Sequence, residues 1–376
     1  MLQLPDRDGL LRGRVLDRND LSELVTAWDG LCARAVESNV YYAPRYALAL
    51  TKNIDLDESL RFATVWRAEK LVAFLPFKRP RVGAACAWQT DYTFSCTPLL
   101  DRDCPLDAAM ALIDLLRAVH AGEWIIPTVN IGGPACRAIL EALTNENRPS
   151  RIVNSFRRAV VEPTVRFDEH MTLHLPSKRR RDLARSRRRL EELGTVAHHS
   201  FCCGEDLDRA VMDFLRIESS GWKGKRGTAL ACDPATRQFA IDAFTGDREA
   251  SICRADVLTL DSVPVAVGLT VFSGDTGFTV KGAYDETYRS YSVGLLLEVE
   301  VLQSFLNDRW ASRLDGATNG THVVDGLWSS TVEVGDLTFS LASRYAEQRL
   351  SVLALLNQAK RTVKRGAKAL AARVAG

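Results

Sequence analysis

Apolar residues recur at helical spacing over Leu21–Val36, where Leu21, Leu24, Val25, Trp28, Leu31 and Ala35 share one face and Asp20 offers an N-cap. The stretch LRFATVWRAEKLVAFLPFKRP alternates instead, which predicts two strands around a short Arg-Ala-Glu-Lys turn. Asp107–His120 is again amphipathic with a helical period. GEWIIPTVNIGG reads as a strand ended by a Gly-Gly turn, Cys136–Leu143 as a helix, and SFRRAVVEPTVRF as strand. Asp206–Ser219 predicts a helix with Leu207, Val211, Phe214 and Leu215 on one face. Three strands follow, turning at Asp261–Pro264 and at Ser273-Gly274-Asp275. Val293–Leu306 is a helix with an apolar body, a short strand begins at Arg313-Leu314-Asp315, and TVEVGDLTFSLA reads as a last hairpin-like pair. Helices alternate with strands in both halves, so the expected class is mixed α+β, each half a mixed sheet with helices on it. No short-period repeat is present, only a similar order of elements in the two halves.

The length of 376 residues suits two domains, and 46% hydrophobic with 26% charged residues allows a real core. No apolar run approaches the roughly 20 residues needed to cross a bilayer. The opening MLQLPDRDGLLRGRVLDRND resembles neither a secretory signal nor a transit peptide, so the expected location is the cytoplasm. Nine cysteines, an odd number with no C-x-x-C pair, argue against a disulfide framework or zinc ribbon. His198, His199, Cys202 and Cys203 cluster in TVAHHSFCCG. Alternate residues of a strand point to opposite faces, so the expected reading is a strand whose two thiols face the core, and no metal is expected.

The net charge is only +2, but it is unevenly spread. Gln348–Gly376 has seven basic residues and no acidic one, and SKRRRDLARSRRRLEELG (Ser177–Gly194) has eight basic against three acidic. Taking +7 and +5 from the overall +2 leaves −10 for the rest, which argues against a nucleic-acid surface. Ser177–Gly194 predicts a helix with Ser177 as N-cap and a narrow apolar face of Leu183, Leu190 and Leu193. Like charges at i, i+4, such as Arg181/Arg185 and Arg185/Arg189, cost stability unless an anion offsets them, which points to a phosphate partner. A solvated face, and a signalling dinucleotide such as cyclic di-GMP, are the competing readings. On a helix, Val352, Leu356, Ala359, Val363, Ala367, Leu370 and Val374 form one stripe beside Lys360, Arg361, Lys364, Arg365 and Lys368. Such a tail either lies on an anionic inner-membrane surface or is a disordered solubilising end.

The junction KGAYDETYRSYSVGLLLEVEVLQSFL places a strand, a short loop and a helix start in succession. A helix N-terminus suits an anion, and small residues let backbone approach it. The loop Arg289-x-x-Ser292-x-Gly294 resembles the Arg/Gln-x-x-Gly-x-Gly/Ala loop with which GNAT-type acyltransferases hold coenzyme A, with Ser in place of the first Gly. The segments WDGLCARA, NVYYAPRYALAL, LVAFLPFKR, TPLLD, SSGWKG, VPVAVGLTV, YDETYRSYSVGLLL and RLDGATNG follow in the order seen in the CelD-type, FemAB-like acyltransferases associated with bacterial polysaccharide biosynthesis. The resemblance covers roughly residues 20 to 340. It implies two tandem GNAT-like domains, at 1–170 and 171–345, with a basic tail at 346–376 and the acyl-donor chemistry in the second domain.

By that resemblance the expected activity is N-acyl transfer from acetyl-CoA, or another acyl-CoA, to an amino sugar of a cell-surface polysaccharide precursor. Arg289, Ser292, Val293 and Gly294 are the expected donor-binding residues. Asp315 and His322, with Asp285 and Glu286, are the candidate bases, and a backbone N–H near Lys281–Ala283 is the candidate oxyanion donor. Lys178, Arg181, Arg185, Trp222, Lys223, Tyr288 and Tyr291 are expected to meet the substrate, a nucleotide- or lipid-linked sugar or polysaccharide. Related sequences often carry a Tyr-Lys pair after the Asp-x-x-x-Gly stretch, and here Asp315–His322 has no Lys. Two other readings stay open: a catalytically impaired scaffold that senses a nucleotide, and a transferase that uses aminoacyl-tRNA as donor.

Overall fold

The computed structural model describes residues 11–248, 251–318 and 323–355. Elements are numbered in chain order. The chain forms two compact units, one made of 1–37, 58–155 and 334–376, the other of 38–57 and 156–333. They are therefore not the consecutive stretches 1–170 and 171–345. Each unit takes a segment from the far side of the other in sequence.

In the first unit β1 (Leu11–Leu16) leads into α1 (Leu21–Arg34), which buries Leu21, Leu24, Trp28 and Leu31 as the helical period requires. Asp20 stands at the N-cap position but makes no side-chain cap. The helix α2 (Pro44–Asn53) belongs to the second unit. The hairpin of β2 (Leu60–Arg67) and β3 (Lys70–Lys78) turns where the sequence reading placed it. Next come β4 (Ala85–Ala87), the short β5 (Leu99–Leu100), α3 (Pro105–Val119), β6 (Glu123–Asn130) and α4 (Pro134–Asn145). The core is aromatic, with Trp28 against Phe74 at 4.4 Å between ring centroids and Phe77 against Trp124 at 5.4 Å.

The second unit begins with β7 (Ser150–Val161), α5 (Phe167–His174), the Arg-rich α6 (Ser177–Glu191), β8 (Val196–Phe201), α7 (Gly204–Ser220), the single turn α8 (Trp222–Lys225) and α9 (Pro234–Phe244). It continues with β9 (Cys253–Leu260), β10 (Val263–Ser273), β11 (Thr276–Tyr284), α10 (Val293–Asp308) and β12 (Arg313–Asp315), and β13 (Ser330–Ser340) returns the chain to the first unit. Asp261 and Ser262 both have positive φ, at 47° and 66°, which closes the β9–β10 hairpin in two residues. In place of a hairpin, TVEVGDLTFSLA forms the single strand β13, with a bulge between Gly335 and Leu337. At the bulge Asp336 accepts a hydrogen bond from the Thr128 N–H at 3.1 Å, and its other oxygen accepts from Asn154 at 2.6 Å. The Gly-Asp pair that looked like a turn is this bulge.

The strand order of the first unit is β1-β2-β3-β4-β6-β13, and that of the second is β8-β9-β10-β11-β12-β7. In each, four antiparallel strands lead through a helix into a strand parallel to the fourth: β4 to β6 through α3, and β11 to β12 through α10. The last strand of each order is antiparallel and comes from the other half of the sequence. Segment 38–57 is likewise built into the second unit: Tyr41 packs on Phe278 at 5.7 Å, Tyr46 on Phe239 at 5.5 Å, and Lys52 pairs with Asp242 at 2.9 Å.

Candidate donor site and the cluster beside it

The edge of β11 is the feature around which the candidate residues gather. β12 pairs with β11 only over Thr276–Phe278. After Asp315 the chain turns away: Ala317 has φ 48°, its N–H bonds back to the Asp315 carboxylate at 2.8 Å, and the Gly316 N–H bonds to Ala159 O at 3.0 Å. From Thr279 to Tyr284, β11 therefore runs on beyond its parallel partner. On its other side the β10 pairing shifts between Leu269 and Thr270, which marks a bulge at Val280. A strand freed from one neighbour offers backbone N–H and C=O groups along its edge to a ligand.

The strand ends at the donor loop. Asp285 caps a 3-10 turn over Glu286–Tyr291 by accepting the Thr287 N–H at 2.9 Å. Ser292 then adopts the left-handed region, φ 57° and ψ 37°, and α10 begins. That conformation is why a Gly suits this position and why Ser is strained there. A Cβ on Gly294 would lie 3.0 Å from the Tyr284 ring, so the tight start of α10 needs Gly294 too. No acidic residue occupies the first turn of α10, whose leading N–H groups lie ahead of the first intrahelical bond. The corresponding helix of the first unit, α3, has Asp107 in its first turn, which disfavours an anion there.

Arg289 is exposed in the turn, Val293 is buried, and Tyr288 and Tyr291 are partly buried against the core under α10. The Arg189 guanidinium of α6 lies over the Tyr291 ring at 5.1 Å, so the Arg-rich helix ends beside the donor loop. Arg187 fastens that end, to Glu191 at 2.7 Å and to Glu300 of α10. Lys178, Arg181 and Arg185 are exposed, and the Arg185 guanidinium is 3.9 Å from Asp182. Two details differ from the sequence reading. Pro176 is the N-cap and Ser177 the first helical residue, and Leu193 is 48% exposed, so only Leu183 and Leu190 anchor the helix.

Three of the four candidate bases are held by neighbours. Asp285 caps the turn, and Glu286 accepts the Trp222 N–H at 2.7 Å with Lys225 3.8 Å away. Asp315 is buried 3.6 Å from the Arg158 guanidinium, which also donates to Thr318 O at 2.9 Å. His322 lies outside the described residues. Trp222 is 49% exposed with the Arg226 guanidinium over its ring at 5.2 Å, an open aromatic surface next to Glu286. Lys223 donates to Glu218 at 2.8 Å, and the other Glu218 oxygen accepts the Leu230 N–H at 2.8 Å.

The sequence reading missed Glu218 and the side chain of Lys281. Burial, joined by Lys223 and opposed by Glu218, pushes the Lys281 ammonium below the usual lysine range. A lysine as the one charged residue of the strand was the available signal. The His-Cys stretch resolves differently from the expectation. His198 reaches Asp256 at 3.0 Å, Cys202 is exposed and Cys203 half-exposed. Among the described residues no group of three or more His, Cys, Asp or Glu side chains is placed to hold a metal ion. Nor, among them, is any helix long and apolar enough to cross a membrane. A helix covers 346–355 with Val352 and Leu355 exposed, and the remainder of the tail, from 356 on, lies outside the described residues.

The chain superposes on FemX with a TM-score of 0.57 at 11% identity, covering 84% of this chain and 95% of that one. It superposes on the C-terminal domain of a lysylphosphatidylglycerol synthetase candidate from Agrobacterium fabrum with a TM-score of 0.54 at 12% identity, covering 89% and 96%. No curated protein matches the sequence. Residues 177–315 match the acetyltransferase (GNAT) domain family, and this span runs from the start of α6 to the end of β12. The chain is thus a mixed α+β protein whose two units share one strand order, and the stretch that matches the acetyltransferase (GNAT) domain family lies in the second.

Proposed function

We propose that the second unit is an N-acyltransferase site that takes an acyl-CoA, acetyl-CoA in the first instance, at the N-terminus of α10. The observation that carries this reading is the divergence of β11 from β12 directly before the donor loop, inside the span that matches the GNAT domain. The loop supplies Arg289, the left-handed Ser292 and Gly294 for a pyrophosphate, and the β11 edge supplies backbone N–H groups for an acyl oxygen. The acceptor is an amine. The resemblance to polysaccharide-associated transferases makes it an amino sugar, and the exposed Lys178, Arg181 and Arg185 suit the phosphates of a nucleotide- or lipid-linked form. Calorimetric titration of acetyl-CoA tests the donor half: wild type binds in the micromolar range, and the Arg289→Ala, Gly294→Asp double variant does not. No heat with wild type ends the acyl-CoA reading.

A second reading is a scaffold that binds a nucleotide without transferring an acyl group. One observation favours it: Asp315, a candidate base, is buried against Arg158. It predicts heat on titration of cyclic di-GMP, lost when Arg181 and Arg185 are both changed to Ala.

A further inference from the structure

We infer that Lys281 is the proton acceptor for the attacking amine in the acyl transfer proposed above, an assignment that rests on that reading. Lys281 stands on the β11 edge, three residues past Phe278, where the pairing with β12 ends. The bulge decides where it points. Val271 pairs with Phe278 and Leu269 with Lys281, so the extra residue puts Phe278 and Lys281 on one face of the sheet. Gly268, on the opposite face, meets Leu297 of α10 at 3.5 Å. Lys281 therefore projects away from α10, on the face where Phe278 meets Tyr41.

Among the described residues, Glu218 of α7 and Lys223 of α8 act on the charge of Lys281. β10 has no charged residue, β12 adds Arg313, 3.9 Å from Glu162, and Asp315, which faces Arg158, and α10 lies across the sheet. The two Glu218 oxygens already accept from Lys223 and from the Leu230 N–H, each at 2.8 Å. The carboxylate is thus largely balanced before Lys281 is counted. Burial, with a second ammonium at Lys223, disfavours the charged form of Lys281 and lowers its proton affinity below that of an exposed lysine.

The proton account closes. Neutral Lys281 takes a proton from the acceptor ammonium, whose nitrogen then attacks the thioester carbonyl to form the C–N bond. Collapse of the tetrahedral intermediate breaks the C–S bond. The second nitrogen proton passes through water to the leaving thiolate, and Lys281 returns its proton to solvent. Amide, free thiol and one solvent proton account for all atoms.

The test uses the full chain with its lysines reductively methylated with ¹³C, the Lys281 signal being assigned by its loss in Lys281→Arg. The expected result is a Lys281 signal that titrates below the other lysines and moves when acetyl-CoA is added. A Lys281 that titrates with the rest, or a signal unmoved by acetyl-CoA that calorimetry shows to be bound, overturns the assignment. Absence of calorimetric binding by wild type overturns the donor reading instead, so the two failures are distinct. With glucosamine as acceptor, Lys281→Ala should release thiol about 100-fold more slowly at unchanged KM for acetyl-CoA, and added ethylamine should restore part of the rate. Thiol release at the wild-type rate counts against a proton-accepting Lys281.

Discussion

Replacing Glu298 with Gln should alter how the second unit responds to pH. Glu298 lies in the middle of α10, the helix that carries the donor loop. Part of the residue is exposed, but its carboxyl is buried, and burial, with the Asp256 carboxylate adding to it, pushes its pKa from 4.5 up to about 7. The folded state then holds this proton more tightly than the unfolded state. The associated stability is complete below pH 4.5 and falls as the pH rises through about 7. Over that interval, at about 1.36 kcal/mol per pH unit, the loss is about 3 kcal/mol. Gln has nearly the same shape and never ionises, so Glu298→Gln should match wild type near pH 4.5 and exceed it by about 3 kcal/mol at pH 8. For a unit of this size that corresponds to roughly 6–12 °C in Tm. Thermal and urea unfolding of both proteins from pH 5 to 8 measure it. A wild-type-to-variant difference that stays constant across this range would refute the reasoning, because only a titrating carboxyl makes it vary.

Two further outcomes follow from the same unit. Burial acts to raise the pKa of Asp256, but hydrogen bonds from His198, Arg254 and Ser200 outweigh it and hold the carboxyl below the usual carboxylate range. Its contribution is therefore present at neutral pH and lost as the pH falls through that lowered value. Asp256→Ala leaves Arg254 buried against Trp310 without its carboxylate and should cost about 3–5 kcal/mol by urea unfolding at pH 7, and a cost under about 1 kcal/mol would contradict this account. Ser292→Gly removes the left-handed strain at the start of α10, and should stabilise by up to about 1 kcal/mol while leaving acetyl-CoA affinity at least as tight.

The elements were legible in the sequence because their signals are local. Trp28 and its neighbours repeat every helical turn, the β2–β3 hairpin alternates around its turn, and α10 starts where Ser292 and Gly294 mark a tight approach. The donor loop was found in this way, by small residues between a strand and an apolar helix. Partnership across the chain was not legible, since periodicity says which face is apolar and not what covers it. Asp315 met Arg158, 157 residues earlier, only because β7 closes the sheet of the second unit. The Gly335-Asp336 pair passed for a turn, since the Thr128 and Asn154 groups that make it a bulge come from distant strands. Segment 38–57 carries no local sign of the unit it joins, because Phe278 and Phe239, on which Tyr41 and Tyr46 pack, lie far along the chain. Lys281 looked like one more polar residue at a strand end. The register of β10 and the early stop of β12 turn it toward Glu218 and Lys223, and register is a property of paired strands that no single strand contains.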